Sequence, residues 1–398
     1  MPSPDPARPG LFIRDPYHYS DATLLVPPIL VQALQCFDGS QSTLDLRSEL
    51  VRLTGEIQVG PIEKNLFDSL SEAGFLENDT YRELKARRET EFVAELKREA
   101  IFAGSAYPAD SRSLAAILTA RVGQPPGVAS NGAASTVGIA APHASPDGAW
   151  DTYRAAYQSL PHADEAKERT FVILGTSHYG APERFGLTRK QFMTPLGEAE
   201  TNVALVDELD KTAGEAIRME DYCHCVEHSI EFQIVFLQHV YGPHVRILPI
   251  LCGPFAKSIY EGGLPEESDR VAQFFDALGN ISARESKRLF WVLGIDMAHI
   301  GRRYGDTLRA TADSGEMLEI RERDAQRIEH INAGDVRAYW ELVQEKHDDL
   351  KWCGASPLYT FLKVMPHVKG ELLDYHQWQI DPQSVVTFGA LRFQESNA

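Results

Sequence analysis

Three apolar runs of this sequence end in residues that bind metals or move protons. "VGIAAPHAS" ends at His143, "FVILGTSHYG" at His178, and "FWVLGIDMAHIG" at Asp296 and His299. Taken alone, an imidazole just past a core strand is more often a hydrogen-bonded loop residue than a ligand. Three strands that each deliver ionisable groups to their carboxyl ends read differently. In an open α/β sheet those ends share one edge, and sites form there. Neutral imidazoles are ligands for borderline transition metals, and two of them need a further donor. Cys353, in "LKWCGASPLYTFL", is the candidate. It stands where a loop meets a helix, and the dipole and free amides of a helix N-terminus favour a thiolate. A thiolate with two imidazoles suits iron(II), copper or zinc, whereas calcium and magnesium require oxygen ligands.

A second polar cluster, "VEHSIEFQ", contributes Glu227, His228 and Glu231. Glu227 and Glu231 are four residues apart and are predicted to share one helix face. With His228 they are candidates to orient metal ligands or to line a substrate pocket. The run Cys223-His224-Cys225 lacks the second cysteine pair that a structural zinc site needs. Neither a G-x-S-x-G nucleophile elbow nor a G-x-x-x-x-G-K-[ST] phosphate loop is present.

These residues require elements that bring them together. From "TVGIAAPHA" onward, strands that are apolar throughout alternate with helical patterns such as "AWDTYRAAYQSL", "SIEFQIVFLQHV" and "RVAQFFDALGN". That alternation predicts an α/β fold, a mostly parallel sheet covered by helices on both faces. "GELLDYHQW" and "SVVTFGALRF" are expected to close the sheet. Ahead of this domain, residues 1–79 read as a winged-helix-like module: a strand, three helices and a short final strand. Pro27-Pro28 opens its first helix, Thr43 caps the second, and Gly74 stops the third. Leu44, Leu46, Leu50 and Leu53 form the apolar face of the second helix, and Leu66, Leu70 and Phe75 face inward from the third. Residues 80–100, "TYRELKARRETEFVAELKREA", read as a charged, solvated connecting helix, and the α/β domain spans 101–398. "QPPGVASNGAAS", Gln124 to Ser135, reads as a loop.

Composition narrows the function. The chain has 398 residues, 43% hydrophobic and 24% charged, which suits globular domains. A net charge of −18 argues against a nucleic-acid or anionic-membrane partner. The five cysteines are odd in number, and Met1 to Pro6 do not resemble a secretory signal, so a reducing cytoplasm is expected. No apolar stretch reaches the roughly 20 residues needed to span a bilayer.

The ordered series "AGSAYPAD", "IAAPHAS", "VILGTSHYG", "TPLG", "EHSIEFQ", "ILPILCG", "GIDMAHIGRRYG" and "WCGASP" resembles the Memo family, whose bacterial members are called AmmeMemoRadiSam system protein B. The resemblance covers about Ala103 to Phe393. It implies a fold similar to LigB-type class III extradiol dioxygenases. It also implies one transition metal, iron or copper, at His143, His178 and Cys353, with Asp296 and His299 lining the pocket and His299 in an acid–base role. Glu227, His228 and Glu231 fall on the family's E-H-S-I-E. Ser145-Pro146, Tyr179 and Ile300 depart from the family pattern around the pocket. "LLVPPILVQALQCFDGSQSTLDLRSEL" resembles PqqD-like modules, which implies a peptide or protein partner held by strand addition.

Three functions follow as expectations. One is a metal-dependent redox enzyme, dioxygenase-related, acting on a small molecule or peptide. Another is a non-catalytic metal- or peptide-binding partner in a radical-enzyme-linked modification system. The third is a hydrolase that uses zinc at the same ligands.

Overall fold

The computed structural model describes residues 7–123, 136–161 and 169–396. The expected loop at Gln124–Ser135 and the Met1–Pro6 segment lie outside the described residues. The chain divides into two compact units, Met1–Ala94 and Glu95–Ala398.

The first unit opens with an antiparallel pair, β1 (Leu11–Arg14) and β2 (Thr23–Val26), followed by two short 3-10 turns where a Pro-led α-helix is expected. Helices α1 (Thr43–Thr54), α2 (Gly60–Glu72) and α3 (Asp79–Ala94) complete it. Ser42, not Thr43, caps α1: its hydroxyl accepts from the Asp45 amide while Asp45 accepts from the Ser42 amide. Leu46 and Leu50 are buried at i, i+4, but Leu44 is 70% exposed because it sits half a turn away from them. Gly74 ends its segment at φ +74°, a conformation that favours glycine. The expected final strand does not form among the described residues: both strands of the unit precede its helices. The charged run also differs from expectation. α3 ends at Ala94, and Lys97–Arg98 form a short strand, β3, of the second unit, with Arg98 only 2% exposed.

The second unit is a mixed, mostly parallel α/β sheet. In chain order its other strands are β4 (Thr136–Ala141), β5 (Thr170–Thr176), β6 (Phe185–Leu187), β7 (Gln191–Thr194), β8 (Gly197–Thr201), β9 (Ile217–Met219), β10 (Arg246–Cys252), β11 (Leu289–Gly294), β12 (His299–Gly301), β13 (Val368–Asp381) and β14 (Ser384–Glu395). The sheet order is β12-β14-β4-β11-β5-β10-β8-β7-β3. β4, β11, β5 and β10 run parallel, and β14 joins β4 antiparallel after its hairpin with β13.

The apolar runs have a direct cause. Alternate residues of β11 enter opposite cores: Leu289, Trp291 and Leu293 on one face, Phe290 and Val292 on the other. β5 does the same with Val172 and Leu174 against Phe171 and Ile173. Both faces are covered by helices, so no position on these strands can be polar without cost. The helix Pro146–Gln158 and the helix Glu231–Tyr241 cover one face; Asp269–Glu285 and Ala355–Val364 cover the other. The apolar run Leu289–His299 is not one strand. β11 stops at Gly294, Asp296 lies in the crossing segment, and His299 opens β12, which pairs with β14.

Candidate metal centre

The sheet order explains why residues far apart in sequence meet. β11 lies between β4 and β5, so the carboxyl ends that carry His143, Asp296 and His178 are adjacent. The segment Glu227–Gln233 then fastens these ends together. Ser229 Oγ donates to the Thr176 carbonyl at 2.9 Å, at the end of β5. Gln233 Nε2 donates to the Pro142 carbonyl at 2.8 Å, one residue before His143. Two glycines permit this approach. A Cβ on Gly294 would lie 2.1 Å from the Ser229 carbonyl oxygen, and one on Gly175 would lie 2.6 Å from Ser229 Oγ.

Each histidine ring is fixed at one nitrogen. His143, 1% exposed, holds Nδ1 2.9 Å from the Gly294 carbonyl. His178 holds Nδ1 2.8 Å from Glu227 Oε2, and its amide donates to Glu227 Oε1. His299 sets Nδ1 3.0 Å from the Met297 carbonyl and 3.1 Å from that of Lys351. Nδ1 therefore donates in all three rings, and Nε2 is the nitrogen that can serve as a ligand. This pattern is typical of ligating histidines, whose second nitrogen is tied to a carboxylate or carbonyl. Cys353 Sγ lies 3.2 Å from His143 Nε2 and 3.6 Å from the Asp296 carbonyl. Gly354 lets that loop close on β11's end, for a Cβ there would lie 2.6 Å from Ile295 Cβ.

Asp296 anchors the backbone beside the site. Its Oδ1 accepts the amides of His143 and Ala144 at 2.9 and 3.1 Å, so it pins the loop after β4. Its Oδ2 is 3.6 Å from His143 Nε2. The ring of His299 is oriented by backbone carbonyls. Glu231 is occupied elsewhere. Its carboxylate pairs with Arg98 and accepts from the Tyr107 hydroxyl and the Phe102 amide. Arg98 in turn donates to the carbonyls of His224 and Glu227 at 2.9 and 2.8 Å, so it clasps the turn that carries Glu227 and His228.

Two donor groups result among the described residues, His143/His178/His228 and His143/Asp296/Cys353, each with its ligand atoms within 4.8 Å of one another. His143 belongs to both. His178 and Cys353 do not share a group. The electrostatics keep most of the rings neutral. Burial, then the neighbouring His178, pushes His143 down to about 3. Burial likewise pushes His299 down to about 4 and His228 well below the imidazole range. For His178 burial works against the charge, but the Glu227 carboxylate outweighs it and the pKa is raised. The expected helix-favoured thiolate is not found: burial, then the Asp296 charge, holds the Cys353 thiol well above its ordinary value. Burial also raises Asp296. Without a cation, burial thus favours the neutral forms of His143, His228, His299 and Cys353, while Glu227 holds His178 toward its protonated form. Two imidazole nitrogens, a thiol sulfur and an adjacent carboxylate fit a borderline transition ion and not calcium or magnesium.

All the histidine, cysteine and aspartate candidates converge on one sheet edge. Sequence reasoning missed Arg98, Tyr107 and Gln233. Gln233 had a signal: an amide flanked by Phe232, Ile234, Val235 and Phe236 in a mostly buried helix.

Comparison with known proteins adds the lineage. The family model "Memo-like protein" matches residues 98–392. A MEMO1 family protein of Aquifex aeolicus is 25% identical over 387 residues, covering 96% of this chain and 95% of its own. One from Thermococcus kodakarensis is 31% identical over 281 residues, 69% of this chain and 90% of its own. A third, from Methanosarcina acetivorans, is 25% identical over 241 residues, 60% and 77% of the two chains.

Proposed function

The chain belongs to the Memo family, and on that premise we propose that its larger unit holds one transition-metal ion at His143, His178 and Cys353 and uses it in redox chemistry related to that of LigB-type dioxygenases. The observation that carries this reading is the fixing of Nδ1 in His143 and His178, by a backbone carbonyl and by Glu227, with the Cys353 sulfur 3.2 Å from the Nε2 of His143. Iron or copper, once bound, would supply electron transfer and polarisation of a bound molecule.

The chain's own residues do the rest. Glu227 holds the proton on Nδ1 of His178. Asp296 holds the loop that carries His143. His299, with Nδ1 committed to carbonyls, presents Nε2 as a proton acceptor, and its pKa of about 4 keeps that nitrogen unprotonated at neutral pH. Tyr304 packs edge-on to its ring, 4.9 Å between centroids, and limits its rotation. The substrate is a small molecule or a peptide. The N-terminal unit holds a peptide or protein partner, with the edge of β1 and β2 as the place for an added strand. A nucleic-acid partner is disfavoured by the net charge of −18. Among the described residues no helix is long and apolar enough to cross a membrane.

The test is the metal content of protein purified without added metal, for wild type, Cys353→Ser and His178→Ala. Near one equivalent of iron or copper in wild type, lost in both variants, is the expected result. Zinc with ester or amide turnover would move the reading to a hydrolase. Retention of the metal in both variants, or no uptake of any ion by wild type under reducing conditions, would overturn it and leave a partner-binding role in a modification system.

A further inference from the structure

We propose that His228 is a direct ligand of the ion, a third imidazole beside His143 and His178. The inference rests on the metal-binding reading above and adds a donor that the reading does not contain. The three rings form a nearly even triangle, with centroids 5.0 Å apart for His143 and His178, 5.1 Å for His143 and His228, and 5.2 Å for His178 and His228. One ring nitrogen of each lies within 4.8 Å of the other two. The nitrogen that His143 and His178 have to offer a metal is Nε2, since Nδ1 is committed to Gly294 and to Glu227.

His228 itself is uncommitted among the described residues. Its Nδ1 is 3.9 Å from Glu227 Oε2, beyond hydrogen-bond range. Its other neighbours are the rings of Phe102 and Phe232, at 5.5 and 5.4 Å between centroids. Those contacts fix where the ring sits and satisfy neither nitrogen. The turn beneath it is held firmly, because Arg98 bonds the Glu227 carbonyl and Ser229 bonds the Thr176 carbonyl. A ring so placed, aimed at two fixed imidazoles and bonded to nothing else, is a preorganised donor.

The two donor groups then divide the site. The side chains of His178 and His228 are 29% and 30% exposed, while those of His143 and Asp296 are 2% and 4% exposed. Imidazole nitrogen faces the open side. Asp296 is buried with His143, and Cys353 is half-buried. An ion bound through His143 and His178 is within reach of His228 before it is within reach of Cys353, since only the former shares their group.

Cobalt(II), added to the full chain under anaerobic, reducing conditions, tests this. It is followed by hyperfine-shifted proton NMR and by its sulfur charge-transfer band. Wild type should show shifted imidazole signals from three histidines. His228→Ala should lose one set and bind cobalt at least about tenfold more weakly, the lower end of the loss that even outer partners cause, while keeping the sulfur band. The wild-type signal count needs no variant, so a folding defect in His228→Ala would not obscure it. Signals from two histidines only, or a third set that survives in His228→Ala, would overturn the proposal and leave the two-histidine reading standing. No cobalt uptake by wild type would remove both.

Discussion

Glu227 controls the protonation of the cluster, because one carboxylate holds both the amide and the Nδ1 of His178. Glu227→Gln preserves its shape and removes its charge. Two effects follow. With the carboxylate gone, burial is opposed only by the more distant Asp296 charge, so the His178 pKa should fall. An amide NH2 facing Nδ1 also favours the tautomer with the proton on Nε2, which blocks ligation. Metal affinity should drop roughly 10–100-fold, the range for loss of an outer carboxylate partner. Competition with a chromophoric chelator reads the affinity, and histidine NMR reads the titration. Unchanged values in both would reduce Glu227 to a backbone anchor. At this scale the sequence was largely legible. His143, His178, Asp296, His299 and Cys353 announce themselves by residue type at the ends of apolar strands. Arg98 does not. A buried arginine inside "ELKREA" looks the same as its solvated neighbours, because the partner that explains it, Glu231, is 133 residues away.

The element that assembles the site is the turn and helix start at Glu227–Gln233, which bonds the ends of β4 and β5 and holds His178. Its own anchor is Arg98 on β3, 2% exposed and bonded to the carbonyls of His224 and Glu227 and to the Glu231 carboxylate. Arg98→Met leaves Glu231 buried with its charge unmatched and should destabilise the larger unit by about 3–5 kcal/mol. Adding Glu231→Met should recover part of that loss, since a matched apolar pair removes the stranded charge. Urea unfolding followed by tryptophan fluorescence suits the measurement, because all five tryptophans lie beyond residue 94. A loss below about 1 kcal/mol, the scale of an exposed pair, would contradict the burial. The strands and major helices were legible because a two-sided core writes continuous apolar runs. The break at Gly294 was not. Residues 289–300 are apolar on both sides of it, and only the pairing of β12 with β14 separates the two pieces.

For the whole molecule, the boundary between units decides whether the site is complete. Charge density alone places the start of the α/β domain at residue 101, because a run of charges reads as linker. The larger compact unit begins at Glu95, and the family match begins at residue 98, the position of Arg98. An alignment that covers 96% of the chain, as for the Aquifex aeolicus protein, must also run through most of the first unit, so that unit is shared by at least one relative. The first unit has its own core, built on Ala33, Leu46, Leu50, Val59, Leu66 and Leu70. The candidate ligands His143, His178, His228 and Cys353 all belong to the second. A fragment of residues 95–398 should therefore fold and take up metal with the affinity of the full chain. A fragment of residues 101–398 lacks β3 and with it the clasp on the Glu227 turn. It should unfold at lower urea and bind metal more weakly, in step with Arg98→Met in the full chain. Equal affinity in the two fragments would show that the turn holds its shape without Arg98. A deficit in both would show that the first unit contributes to the site, and the assignment of binding to the second unit alone would fail.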